Sequence, residues 1–183
     1  MASKMNYILP TDYQFDAKVL AAEYNMIYTS VGADQINLRK HYTMPDTEGL
    51  TYGAGSLFQK GKILDYDVNW DTYITSLGNS YTIEVLKEIE SWAGYVYSAR
   101  IGRARYMALP PKSCLTYHKD NDNIMRIHIP VHTNENCFFV NEDIVGRMKI
   151  PGKAYMFNNL VKHTAVNASR ERRVHIVINC IKN

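Results

Sequence analysis

Three side chains in the second half of the chain could together hold a metal ion: His118, Asp120 and, further on, His163. Residues i and i+2 of a strand point to the same side. The H-x-D pair therefore offers an imidazole nitrogen and a carboxylate oxygen to one ion. A histidine from a later strand would close one face of an octahedron. Two histidines and one carboxylate, with the other positions open, suit Fe(II) in non-haem oxygenase sites, whereas thiolates would favour zinc or a cluster. Spacing alone is a weak signal, since three ordinary polar residues near a turn satisfy it equally.

The flanking runs add charge where a strand interior would not tolerate it. In 124–131 (IMRIHIPV), Met125, Ile127, Ile129 and Val131 share one face, and Arg126 and His128 the other. An arginine and a histidine side by side on an inward face are costly without an anion. His128 alone could also be a hydrogen-bonded core histidine. The last strand, RVHIVINCI, sets Val174, Ile176, Ile178 and Cys180 against Arg173, His175, Val177 and Asn179. An arginine fork grips a carboxylate bidentately, so Arg173 could clamp the far end of a small diacid that chelates the metal. For His175 a structural hydrogen bond is the plainer role, and His41 and His132 read as surface residues. Asn167 could orient substrate or make a turn before Ala168-Ser169.

Short strands must position these groups. Apolar and polar residues alternate over 95–108, 124–131, 137–140, 153–157 and 173–181, with Pro110-Pro111, Pro151-Gly152 and Asn-rich turns between. The first half reads as helices and irregular chain. Residues 14–28 predict a helix capped by Thr11 or Asp12, with Phe15, Val19, Ala22 and Met26 inward. Residues 81–92 predict a second, with Ile83, Leu86, Ile89 and Trp92 inward and Gly78-Asn79-Ser80 as turn and cap. The stretch from 41 to 71, with Tyr42, Tyr52 and Tyr66, lacks periodicity and reads, with Tyr73 just beyond it, as a substrate-facing loop, though tyrosines replacing Phe in a half-exposed core fit as well. The expectation is a mostly β fold, a jelly-roll barrel with helices packed outside.

Composition bounds the setting. The 183 residues suit one domain. With 46% apolar and 21% charged residues, neither disorder nor a collagen-like chain is expected. There is no apolar run long enough to cross a membrane and no secretory signal, and three cysteines (Cys114, Cys137, Cys180) match no zinc or redox spacing, which together point to the cytoplasm. A net charge of +3 makes a nucleic-acid partner unexpected. The oligomeric state is left open.

The runs HKDNDNIMRIHIPVHTNENCFF, PGKAYMFNNLVKHTAVN and RRVHIVIN, in that order, resemble the aspartyl/asparaginyl β-hydroxylase family. The resemblance implies a double-stranded β-helix that uses Fe(II), 2-oxoglutarate and O₂ to hydroxylate an amino-acid or peptidyl side chain, releasing succinate and CO₂. It implies that His118, Asp120 and His163 hold iron, that Arg173 binds the far carboxylate of 2-oxoglutarate, and that Arg126 and His128 lie against the chelating one. Asp120 stands where the animal enzyme lacks a carboxylate, so the chain looks more like bacterial members, free-proline hydroxylases among them. A family serine would fall near Met107, whose part Tyr106 or water could take. On this reading 1–183 is a single oxygenase domain, with 1–94 as helical and loop support on the substrate side and 95–183 as the iron-binding β core. Other motifs fail: Ile124 and Met125 break an EF-hand loop, a cupin would show H-x-H, and Asn179 stands where nucleic-acid-repairing relatives carry a second arginine. A non-catalytic metal-binding barrel acting as a sensor or binding module is the alternative.

Overall fold

The computed structural model describes residues 7–41, 50–51, 72–74, 79–120 and 124–182. The loop from 41 to 71 lies largely outside the described residues, as do Tyr42, Tyr52 and Tyr66. The elements run β1 (Ile8–Gln14), α1 (Ala17–Val31), β2 (Gln35–His41), β3 (Leu50–Thr51), β4 (Thr72–Ile74), α2 (Ser80–Tyr97), β5 (Ala99–Leu109) and β6 (Ser113–Cys114). There follow β7 (Ile124–His132), β8 (Cys137–Asn141), β9 (Ile144–Gly146), β10 (Lys153–Phe157), β11 (His163–Asn167) and β12 (Arg173–Lys182).

Two antiparallel sheets result. The larger has the order β1-β10-β7-β12-β5-β2-β3, with β4 also on β2, and the smaller runs β6-β11-β8-β9. The chain is mostly β and jelly-roll-like, but the sheets are not closed into a barrel. The alternation read in the sequence decides what each face does. Ile127, Ile129 and Val131 of β7 and Val174, Ile176 and Ile178 of β12 join Leu20, Tyr24, Leu86 and Ile89 of the helices in one core. The other face of the large sheet turns toward the small one, where Leu109, Phe139, Met148, Tyr155, Phe157 and Ala165 form a second cluster.

The first half departs from the sequence reading. It is not helical support alone, because β1 and β2 are hydrogen-bonded members of the large sheet. Thr11 and Asp12 lie within β1, and the cap of α1 is Asp16, whose carboxylate accepts from the amides of Lys18 and Val19. The buried stripe of α1 is Leu20, Glu23, Tyr24 and Ile27, while Val19 and Met26 face solvent. Two neighbouring stripes fit the helical period, and packing selects the one that brings Glu23 to α2. Asn79 makes no side-chain cap for α2. Glu23 does so from the other helix, accepting from the Tyr81 and Thr82 amides at 3.0 and 2.8 Å and from the Thr82 hydroxyl at 2.6 Å. Helix α2 runs on to Tyr97, so the strand expected from 95 starts at Ala99. Gly152, at φ +78°, lets the turn before β10 touch Phe15: a Cβ there would lie 2.1 Å from the Phe15 carbonyl oxygen.

No helix among the described residues is long and apolar enough to cross a membrane. Cys114, Cys137 and Cys180 are free thiols.

Candidate active site

Local backbone pairing brings the three metal-ligand candidates together. His118 and His163 form an antiparallel bridge, each amide donating to the other's carbonyl at 3.0 and 2.7 Å. Their rings lie 4.5 Å apart. Nδ1 of His118 is 2.6 Å from the Thr116 carbonyl and Nδ1 of His163 is 2.8 Å from that of Val161. A carbonyl only accepts, so the proton of each neutral ring sits on Nδ1 and the Nε2 lone pair is left for a ligand. Ligand atoms of His118, Asp120 and His163 all lie within 4.8 Å of one another. Two imidazoles and a carboxylate so spaced fit a small divalent ion, and Fe(II) by donor type.

Asp120 is held from several sides. Its Oδ2 accepts from Arg126 at 2.6 Å and from Asn159 Nδ2 at 3.0 Å, while Oδ1 is 3.4 Å from His118 Nε2. Burial works to raise its pKa, but the bond to His118, the Arg126 charge and the Asn159 bond outweigh it and hold the carboxyl well below its usual range. With no metal bound, the neighbouring Asp120 carboxylate favours a second proton on His118, at Nε2, and so raises its pKa, whereas burial lowers His163. Arg126 Nε also donates to Asn179 Oδ1 at 3.0 Å. Among the described residues, the anion facing Arg126 is thus Asp120 itself.

Across an aromatic ring lies a buried basic cluster. Phe157 stands 5.1 Å from the His163 ring and 5.2 Å from that of His128, which is 5.6 Å from His175. Arg173 Nη2 donates to His175 Nδ1 at 3.2 Å, and its guanidinium carbon lies 4.5 Å over Phe139. That contact places the His175 proton on Nε2, which is buried without a partner, as are both ring nitrogens of His128. Burial, with Arg173 nearby, keeps both histidines far below their ordinary pKa and so neutral. Burial also draws Arg173 down to about 10. Among the described residues no carboxylate pairs with it. Orphaned donors around a buried cation are what a bound anion with several acceptors would satisfy.

The sequence reading of the inward faces of β7 and β12 agrees with this geometry, and His175 takes the supporting bond expected of it. Tyr106 is a correction: it points to the helical side, its hydroxyl 2.6 Å from that of Thr82, so it cannot stand in for the family serine. Met107 does lie inward, opposite His175. Asn167 proves to be a turn residue, donating to the Leu109, Pro110 and Glu171 carbonyls. His132 is half-buried, edge-on to Tyr24. Asn159 and Arg105 went unread. Asn159 has no periodic signal in its loop, but Arg105 alternates with buried Ala104 and Tyr106 and was legible from period two.

Solved structures with similar folds include the viral collagen prolyl hydroxylase vCPH of Paramecium bursaria Chlorella virus-1, in its 2OG complex. It has 7% identity and a TM-score of 0.59 over 100% of both chains. AviO1 from Streptomyces viridochromogenes Tue57 follows at 11% identity and a TM-score of 0.57, covering 97% of this chain and 90% of that one. The plu4264 protein from Photorhabdus luminescens has 14% identity and a TM-score of 0.36, over 42% of this chain and 60% of its own length. A search of curated proteins finds no match. The fold is that of the 2-oxoglutarate-dependent hydroxylases and oxygenases. Residues 61–183 match the family described as Aspartyl/Asparaginyl beta-hydroxylase, and the chain belongs to that family.

Proposed function

We propose that this protein is an Fe(II)- and 2-oxoglutarate-dependent dioxygenase that hydroxylates an amino-acid or peptidyl side chain. The reaction would take 2-oxoglutarate, O₂ and a C–H bond to succinate, CO₂ and a C–OH group. One juxtaposition carries the reading: across the Phe157 ring from the His118–Asp120–His163 cluster lie the unpaired ring nitrogens of His128 and buried Arg173 on His175, and Arg173 lacks a carboxylate partner among the described residues.

His118, Asp120 and His163 would hold the ion. A ferrous ion bound there would supply O₂ activation, with the keto acid as electron source. Arg126 and Asn159 fix Asp120 so that its carboxylate stays ionised and aimed. Arg173 would grip the distal carboxylate of 2-oxoglutarate, with the Nε2–H of His175 as a further donor. His128 would donate to the carboxylate nearer the metal. Phe139 and Phe157 would exclude water along the chain of the diacid, strengthening each of these contacts.

Anaerobic addition of Fe(II) and 2-oxoglutarate tests this directly. A weak visible charge-transfer band of the metal-bound keto acid is expected, together with slow succinate formation once air is admitted. No band in the native protein, or a band that survives His163→Ala, would overturn the assignment.

A further inference from the structure

One end of the large sheet keeps an apolar face that neither helix fully covers. Helix α1 packs on β7 and α2 on β5, while β10 and β1 form the rim beyond them. There Leu9 of β1 pairs with Met156 of β10, and the Tyr97 hydroxyl donates to the Met156 sulfur at 3.3 Å. The Tyr97 ring meets Trp92 edge-on at 5.3 Å, and Trp92 meets Tyr13 at 5.8 Å. One turn on from Trp92, Tyr95 stands 93% exposed, with Leu9 and Val96 exposed as well. No charged residue falls from Ser91 to Ala99 or from Tyr7 to Thr11. The solvated part of α2 differs, with Glu84, Lys87 and Glu88 outward.

Gly94, inside α2, is not called for by packing among the described residues. Glycine disfavours a helix relative to alanine. A Cβ here would meet nothing closer than the Ala99 carbonyl oxygen at 3.6 Å, an ordinary contact. Exposed Gly94 lies one turn from Ser91 and from Ser98, so the helix surface is notched beside the protruding Tyr95 ring. Area bounds what could cover this face. Tyr95 alone offers about 200 Å². Leu9, Val96 and Tyr97 bring the patch to roughly 400–500 Å², toward the upper end of the ~300–600 Å² that a monomer shows. A rim of Pro10, Ser91 and Ser98 extends it toward the ~800 Å² per partner of a standard protein contact.

We propose that this face joins two copies of the chain about a two-fold axis, with Tyr95 of each seated at Gly94 of the other. A two-fold contact needs a surface that complements itself, and this one carries both a knob and a notch. Charge at its centre would face its own image across the axis, and the centre has none. The copies meet through side chains and not by extending the sheet, because Pro10 has no N–H and interrupts the ladder of edge strand β1. Met156 points to this face, whereas its neighbours Tyr155 and Phe157 point to the metal side, so the contact does not depend on the hydroxylase reading.

The test is sedimentation velocity of the full chain, from micromolar to several hundred micromolar, as native protein, Tyr95→Glu, Gly94→Ala and Val145→Glu. Native protein should pass from one chain to two as its concentration rises. Tyr95→Glu sets a charge at the centre of the contact without touching the core, and should raise the dissociation constant about 100-fold or more. Gly94→Ala fills the notch and should raise it about 10-fold. In dilute solution, where both are single chains, the same variant should unfold at a higher temperature than native protein, because alanine favours the helix. Val145→Glu, on exposed β9 of the other sheet, should associate as native protein does. The proposal is overturned if Tyr95→Glu or Gly94→Ala associates as well as native protein, or if Val145→Glu dissociates it equally. It is overturned too if native protein stays a single chain throughout, which would leave the face to a different partner.

Discussion

Replacing Arg173 by Met should make the empty protein more stable and the proposed cofactor complex weaker. Arg173 is 5% exposed, and its guanidinium touches His175 and the face of Phe139 and meets no carboxylate among the described residues. Burial draws it from its ordinary value down to about 10. At 1.36 kcal/mol per pH unit this corresponds to about 3 kcal/mol for keeping it charged, an order-of-magnitude figure. Met fills much of the same volume without charge, so part of that, about 1–3 kcal/mol, should appear as added stability. In a chain of this size the unfolding midpoint would rise by roughly 2–10 °C. Against this, two charge-assisted hydrogen bonds to a distal carboxylate contribute about 1.5–3 kcal/mol each. Their loss weakens 2-oxoglutarate binding by roughly 10²- to 10⁴-fold. Scanning calorimetry of the metal-free protein gives the first quantity, and anaerobic titration of 2-oxoglutarate into the Mn(II)-loaded protein gives the second. A lower midpoint with unchanged affinity would refute the reasoning, since Arg173 would then be a structural residue.

Asn159→Ala removes a buried donor from Asp120 without touching a metal ligand. Metal affinity should drop about 10- to 100-fold with the fold intact, as read by competition with a chelating dye. Glu23→Ala strips the cap from α2 and leaves the Thr82 and Tyr106 hydroxyls paired only with each other. A loss of about 2–4 kcal/mol is expected in urea unfolding, with Glu23→Gln costing less. His128 and His175 are held neutral in the folded state, while in the unfolded chain they take up protons near pH 6.5. Stability of the metal-free protein should therefore be fully present above that pH and fall below it, by up to about 1.4 kcal/mol per pH unit for each. Unfolding at pH 7 and 5 checks this, and a His128→Gln/His175→Gln variant should show a flatter dependence.

Much of the site was legible because strands have a period of two. Once Ile127 and Ile176 are assigned to a core, Arg126, His128, Arg173 and His175 must share the opposite face, and β7 and β12 do lie side by side. The same logic applied to β5 would have exposed Arg105 and excluded Tyr106, whose neighbours Ala104 and Ala108 sit on the helical side. The first half resisted because its signals are ambiguous. ILPTDYQ reads as a lead-in to a helix until β10 is available as a partner, and either of two stripes on α1 satisfies the helical period.

Residue chemistry alone determined the donor set His118, Asp120 and His163, the inward-facing arginine Arg173, and the mostly β character. These follow from side-chain type and alternation, which are local properties. Tertiary structure decided which donors are left unpaired. The proton positions on His118 and His163 depend on the carbonyls of Thr116 and Val161, and the fixing of Asp120 depends on Asn159 from a distant loop. The pairing of Arg173 with His175 could be suspected from their shared face, but its lack of a carboxylate partner among the described residues could not. Burial and pairing are sums over neighbours far apart in the chain, and only the packed sheets bring those neighbours together.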